Sequence, residues 1–365
     1  MKVGRRQVPV ILISGIQEGA VASASISLQL GLPGAVGVMH TIDAEREILT
    51  RVVGDITGVI EHEEINLAHT CITCAIREDI VPTLERLAAQ GKWTSIVACL
   101  PVTAEANQVC RVLSWAPGNA PHVTVAAVVT ALDGATISED LLGDEALGER
   151  GLATAVDDDR GVAEVATAMV EYADVVCLTQ LPEHDELALL TALARPRVPL
   201  VADPCLLDAP ALAAGVHRSR ASEGWIDEVR VGPLPPLPEA GVWRLDLHSD
   251  RPFHPGRLYE EIETLGSGPR RARGCFWLPT RPDAICAWDS AGGQASVGST
   301  QNWGAARRQT RITVVGLAGD DGHREIEAAF HRCLLTDTEI ATRGQVWEEI
   351  WDGLEPWLGP IERAA

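Results

Sequence analysis

Residues 8–14, VPVILIS, run apolar without a polar break, and that continuity limits the fold more than any other feature of the chain. A strand with one wet face alternates apolar and polar residues, whereas a strand covered on both faces has no need to. The same reading applies to AVGVM (35–39), TSIVACL (94–100), VTVAAVVTALD (123–133), DVVCLTQ (174–180) and VPLVAD (198–203). Segments with helical spacing lie between them. In RGVAEVATAMVEYA (160–173), Val162, Val165, Ala166 and Met169 fall at i, i+3, i+4 and i+7. REDIVPTLERLAAQ (77–90) places Ile80, Leu84 and Leu87 on one face. Asp79 is expected to favour its first turn, and Pro82 fits only near that start. DELALLTALAR (185–195) ends before Pro196. Strands alternating with helices predict an α/β fold built on a doubly wound, mostly parallel sheet.

The alternation stops at VRVGPLPPLPEAG (229–241), where four prolines fall within residues 233–238. Such a stretch continues neither a helix nor a central strand, so it reads as an interdomain linker. Beyond it VWRLDLH (242–248) alternates, and GRLYEEIETLG (256–266) reads as a helix closed by glycine. ARGCFWL, AICAWDSAGG, QASVGS and RQTRITVVGLAG suggest an antiparallel sheet with a Gly-Gly hairpin at 292–293. HREIEAAFHRCLL (323–335) has the pattern of an amphipathic helix. Six of the ten tryptophans lie between Trp243 and Trp351, concentrating aromatic core there. The expected organisation is an α/β domain over 1–228, a linker over 229–241, and a smaller α+β domain over 242–365. A length of 365 residues suits two domains.

The formal net charge is −21. That field repels nucleic acid and anionic membrane, so neither is an expected partner. No stretch reaches the ~18 apolar residues of a bilayer span. The N-terminus mimics a signal peptide, with basic residues, an apolar run and small residues at Ala22 to Ala24. The run Val8–Ile13 is short, however, and Gln17 and Glu18 interrupt it before the small residues. Nine scattered cysteines, Cys99, Cys177 and Cys286 among them in apolar runs, suit a reducing cytoplasm and not a disulfide framework.

Two stretches are candidates for chemistry. In LISGIQEGAVAS (12–23), a strand meets Gly15 and then a helix-like segment with Gly19, the setting of a phosphate-binding loop. Such a loop needs a lysine for the phosphates and a hydroxyl for magnesium. Ala20, Val21 and Ala22 supply neither. A helix N-terminus still offers free N–H groups, but each lost charge-assisted hydrogen bond forfeits about 1.5–3 kcal/mol. In EHEEINLAHTCITCAIRED (61–79), Cys71 and Cys74 form a C-x-x-C before a helix. Two thiolates at that spacing can hold one soft cation, each at ~2.3 Å, and a helix N-terminus favours the thiolate form. His69, or Glu61, His62, Glu63 and Glu64 on a folded-back loop, would supply further ligands for zinc. Two buried cysteines or a redox pair are the alternatives, and the Glu/His cluster also reads as a solvated turn. In SDRPFHPGRLYE (249–260), His254 is expected to open a helix and pack locally, with a partner surface as the alternative. SEDLLGDEALGER (138–150) reads as exposed loop and helix.

Together these residues resemble the CobW-type family of P-loop GTPases linked to metal handling, over nearly the whole chain. PVILISG resembles that family's first strand, and HTCITCAIRED its G-C-x-C-C-T-L-R-E-D signature. RPFHPGRLYE, RRARGCFWLPTRPD and WDSAGG resemble its C-terminal domain, the most specific part of the match. The resemblance implies a P-loop NTPase-like fold and a metallochaperone or metal-insertion role, zinc among the metals, with a client metalloprotein or a paralogue as partner. The family's loop lysine falls on Val21 and its magnesium hydroxyl on Ala22. The acid of its E-T/S-T/S-G motif falls on Cys99, followed by Leu100, Pro101 and Val102. Its N-K-x-D falls on Thr179, Gln180, Leu181 and Pro182, and its middle cysteine on Thr73. These departures imply a degenerate GTPase that binds neither GTP nor magnesium and retains Cys71 and Cys74, with His69, for zinc. The alternatives are a GTP-dependent metallochaperone with an atypical loop, drawing on Arg5, Arg6 or another distant cation, and a ligand-free structural partner of an active paralogue.

Overall fold

The computed structural model describes residues 7–67, 71–155, 157–237 and 241–361. Two compact units divide the chain. The first holds residues through Asp140, Glu145–Glu183 and Leu193–Ile226; the second holds Leu141–Asp144, His184–Ala192 and the chain from Asp227 on.

The first unit contains an eight-stranded sheet of β1 (Val8–Ser14), β2 (Ala35–Asp43), β3 (Ile48–Asp55), β4 (Gly58–Asn66), β5 (Ser95–Cys99), β6 (Val123–Leu132), β7 (Val175–Leu178) and β8 (Leu200–Val201). Their order is β4-β3-β2-β5-β1-β6-β7-β8. The pairs from β2 to β8 are parallel, while β3 and β4 extend one edge as an antiparallel hairpin. The unbroken apolar run of β1 has the predicted cause. Val8, Val10 and Leu12 face one core, with Ile80, Leu84 and Val109 from helices, and Ile11 and Ile13 face another, with Ala24 and Leu28 from the helix Glu18–Gly31. Each such side chain contributes about 1.5–3 kcal/mol when fully buried.

β3 and β4 are the strands that sequence reading left out. In β4 the charged run Glu61–Glu64 is not a folded-back loop or a turn; it lies in an exposed edge strand paired with β3. Alternation sends Glu61 and Glu63 towards Arg51, at 3.9 and 2.5 Å, and Arg86 grips Glu61 through two hydrogen bonds of 2.8 and 2.7 Å. Charge along an edge also deters pairing with other chains.

The helix after the cysteine pair starts earlier than the spacing predicts. It runs as α over Ile72–Ala75, π over Ile76–Ile80 and α over Val81–Ala89. Pro82 therefore sits inside a continuous helical run. Its ring would strike the carbonyl four residues back in a regular α-helix, and the π turn that widens the backbone lies directly before it. Asp79 is consequently not a first-turn residue. It is buried, and accepts hydrogen bonds from His40 Nε2 at 2.9 Å, from Arg51 Nη1 and from Thr83 Oγ1 at 3.4 Å. This cluster pins the cysteine-bearing helix to β2 and β3.

The stretch 138–150, expected to be exposed loop and helix, is helix and loop but exposed only in part, at residues such as Glu139, Asp144 and Glu149. Asp140 is fully buried, as are Leu141, Leu142 and Leu147. The Asp140 carboxylate accepts from Gln17 Nε2, from Thr136 Oγ1 at 2.6 Å and from Arg150 Nη1. A buried carboxylate persists only with such partners.

The second unit has a five-stranded antiparallel sheet in the order β12-β11-β10-β13-β9. Its strands are β9 (Val242–Ser249), β10 (Arg270–Leu278), β11 (Arg281–Ala291), β12 (Gln294–Asn302) and β13 (Thr310–Leu317). The β11–β12 turn uses Gly292 and Gly293 at φ 58° and 86°, the doubly left-handed pair that a two-residue hairpin requires. Helices Pro255–Gly266 and His323–Cys333 supply Leu258, Leu265, Ile326 and Phe330 to the core on one face. On the other, Val229 packs against Cys275, Trp277, Ile285 and Trp303. The proline-rich segment is tied down there. Arg311 donates to the carbonyls of Arg230 and Gly232, and Arg244 to that of Pro235. Proline-rich backbone pairs few of its own carbonyls, so arginines take them up. The buried Arg281 holds the C-terminal segment, donating to both oxygens of Asp352 and to the carbonyls of Leu358, Gly359 and Pro360.

Two outcomes follow. Removing one partner of a buried ion pair costs about 3–5 kcal/mol. Arg281→Ala is expected to lower the denaturant midpoint of the second unit and to expose residues after Gly344 to limited proteolysis; an unchanged midpoint contradicts the clamp. For Asp79, burial opposes ionisation, but the His40 ring and Arg51 outweigh it and hold the carboxyl below its ordinary 3.8. Its contribution is therefore complete above pH 3.8 and is lost as pH falls below that value. Asp79→Asn should be less stable at pH 7 and lose less stability than the parent on acidification, read from urea melts across pH 2.5–7.

Candidate functional site

Gly15 follows β1, and its place is fixed by packing. A Cβ there would meet the Ala131 carbonyl oxygen at 2.4 Å and Val21 Cγ2 at 2.8 Å. The turn is short: Gln17 caps the helix Glu18–Gly31 with extended backbone, and the Val21 amide already donates to the Gln17 carbonyl at 3.1 Å. Gly19 therefore lies within the helix, and nothing would meet a Cβ there within 4 Å. Ala20 and Val21 are buried. The residues around the turn are engaged with one another. The Gln17 side-chain oxygen accepts from the Asp133 amide at 3.3 Å while its nitrogen donates to Asp140. Thr179 Oγ1 donates to Asp133 at 2.8 Å. The polar side chains on this turn are those of Gln17 and Glu18, the latter in the first turn of the helix.

Cys71 caps the other helix. Its backbone is extended, and its Sγ accepts the Cys74 amide at 3.4 Å. Cys71 is half-buried and Cys74 is 9% exposed. Hydrogen bonding to Cys71 pushes the Cys74 thiol up, with burial and the Cys71 charge adding to it. Both sulfurs thus sit at one helix end, within reach of one soft cation. Thr73 is the N2 residue between them. His69 lies outside the described residues. Among the described residues no third His, Cys, Asp or Glu joins the pair. Glu61 and Glu63, weighed as ligands, are engaged by arginines instead, and Arg86 holds the Glu61 carboxyl below the ordinary range against a smaller opposing effect of burial.

His254 does open the helix Pro255–Gly266: its Nδ1 accepts the Arg257 amide at 3.4 Å, and its ring stands edge-on to Trp347. Burial, then Arg257, lowers its pKa, which suits the acceptor role. Sequence reading missed the His40–Arg51–Asp79 cluster, whose members come from β2, β3 and the π turn. No periodicity in the sequence marks β4, whose charged residues fall on both faces.

Residues 39–197 match the CobW/HypB/UreG nucleotide-binding domain, and residues 242–334 match the cobalamin synthesis protein cobW C-terminal domain. A zinc chaperone of Mycobacterium tuberculosis is 28% identical over 392 residues, covering 96% of this chain and 93% of that one. A zinc-regulated GTPase metalloprotein activator of Dictyostelium discoideum is 21% identical over 339 residues, covering 82% and 70%. The crystal structure of the Zn(II)-bound YjiA GTPase from E. coli is 15% identical, covers 90% of this chain and 100% of that one, and has a TM-score of 0.37. With both of its domains matched in order, the chain belongs to the CobW family.

Proposed function

We propose that this chain is a zinc-handling CobW protein that carries its cargo on Cys71 and Cys74 and works without GTP. The observation that carries the reading is the pairing of two sulfurs at one helix end, with Cys71 half-buried and its Sγ accepting the Cys74 amide at 3.4 Å. Two protein thiolates leave a tetrahedral ion with open positions. An incomplete shell suits transfer, because a client metalloprotein can enter it before the donor lets go. His69 is the proposed third ligand in the resting state. The name of the M. tuberculosis relative supports zinc as the cargo.

The turn after β1 does not fit a nucleoside triphosphate. Val21 fills the space beside Gly15, Gln17 is committed to Asp133 and Asp140, and Glu18 heads the helix. Forfeiting two charge-assisted hydrogen bonds, about 3–6 kcal/mol, shifts a micromolar site into the millimolar range. The reading is therefore of a family member that keeps the fold and not the nucleotide cycle. A cytoplasmic setting goes with it, since thiolate ligands need a reducing compartment. No helix among the described residues is long and apolar enough to cross a membrane.

A fluorescent GTP analogue with magnesium is expected to show no saturable binding at micromolar protein; micromolar affinity supports instead a GTP-dependent metallochaperone. Zinc competition against a chromophoric chelator should give one site, weakened about 100-fold or more in Cys71→Ser and in Cys74→Ser. Since the Cys74 thiol is held up, zinc must displace its proton, and affinity should fall on acidification, by about 10- to 100-fold per pH unit below neutrality. Zinc content unchanged in the double variant sinks the assignment and favours a ligand-free structural partner of a paralogue.

A further inference from the structure

We infer that Cys71 and Cys74 also form a reversible dithiol–disulfide pair, an oxidative modification site whose closed form excludes the metal. The exclusion rests on the zinc reading above; the disulfide does not. Residues i and i+3 at a helix start have Cα atoms about 5 Å apart, inside the disulfide range of about 4.4–6.8 Å. The Cys71 sulfur already lies 3.4 Å from the Cys74 amide nitrogen. The two differ in access: Cys71 is half-buried and Cys74 is buried. An incoming oxidant therefore meets Cys71 first, and Cys74 stands behind it to resolve the adduct.

The surroundings favour one product. The residues between the sulfurs are Ile72 and Thr73, so no third thiol competes. Of the other cysteines, Cys99, Cys110, Cys177, Cys275, Cys286 and Cys333 are buried, and Cys205 is exposed.

The oxidant is a low-molecular-weight disulfide such as oxidised glutathione. The Cys71 thiolate attacks one of its sulfurs, the S–S bond breaks, and one glutathione thiolate leaves with the electron pair. Cys74 then gives up its proton and attacks the Cys71 sulfur, and the second glutathione thiolate leaves. Two protein thiols have lost two electrons and two protons, and one glutathione disulfide has become two thiols. Both sulfur lone pairs that would bind zinc are then tied to a neutral disulfide, and a bound ion is released.

The test uses the full chain, reduced under anaerobic conditions and equilibrated in reduced and oxidised glutathione with and without one equivalent of zinc. Acid quenching, alkylation and peptide mass spectrometry read the state of each cysteine. The Cys71–Cys74 peptide should lose two hydrogens and regain them with dithiothreitol, while Cys205 shows only a glutathione adduct. Zinc should lower the oxidised fraction at least about 10-fold. Cys74→Ser should trap glutathione on Cys71, and Cys71→Ser should leave Cys74 unmodified. A lasting glutathione adduct on Cys71 of the parent chain, with no internal disulfide, overturns the inference and leaves the zinc reading standing. A disulfide that forms in a chain that binds no zinc keeps the dithiol pair and overturns the zinc reading. Zinc that binds without protecting the pair overturns the exclusion.

Discussion

A single buried carboxylate, Asp79, ties the cysteine helix to the sheet. Taking it out of water would be prohibitive without compensation, and the compensation comes from two strands at once: His40 on β2 and Arg51 on β3. Arg51 in turn reaches Glu63 on β4 and Thr83 one helical turn beyond Asp79. The helix that begins at Cys71 is thus bolted to three strands of the sheet's antiparallel edge. The π turn is part of the same arrangement, since it lies immediately before Pro82 and contains Asp79 itself. Rigid placement of two sulfurs follows from this buried cluster more than from any interaction the sulfurs make for themselves.

The turn after β1 is packed and hydrogen-bonded against its neighbours. Gln17 spans Asp133 and Asp140, and a Cβ on Gly15 would meet Val21 Cγ2 at 2.8 Å. Arg150, the cation near Asp140, is shared between Asp140 and Glu145. Gln17, Asp133, Asp140 and Thr179 are thus bonded to one another.

The sequence made the architecture legible where periodicity was strong. β1, β5 and β6 are mostly apolar because both faces are covered over most of their length, and Val162, Val165, Ala166 and Met169 of the helix Val162–Tyr172 are all buried. The Gly-Gly hairpin was legible because only glycine takes two successive left-handed conformations cheaply. β4 is obscured because an edge strand carries charges on both faces, the same pattern as a solvated loop. Asp79 was misplaced because a carboxylate near a proline usually marks a helix start, and a π turn has no sequence signature of its own. The cysteine pair was legible from spacing alone. The cluster beneath it was not, because its members are brought together by strand pairing across 28 and 39 residues of chain.

The charged strand β4 bears on how these molecules behave in company. The nine residues of β4, paired with β3 on one side only and with no proline among them, offer a seam for another strand. What disfavours the seam is charge along the strand: Glu61, Glu63 and Glu64, each beside an arginine.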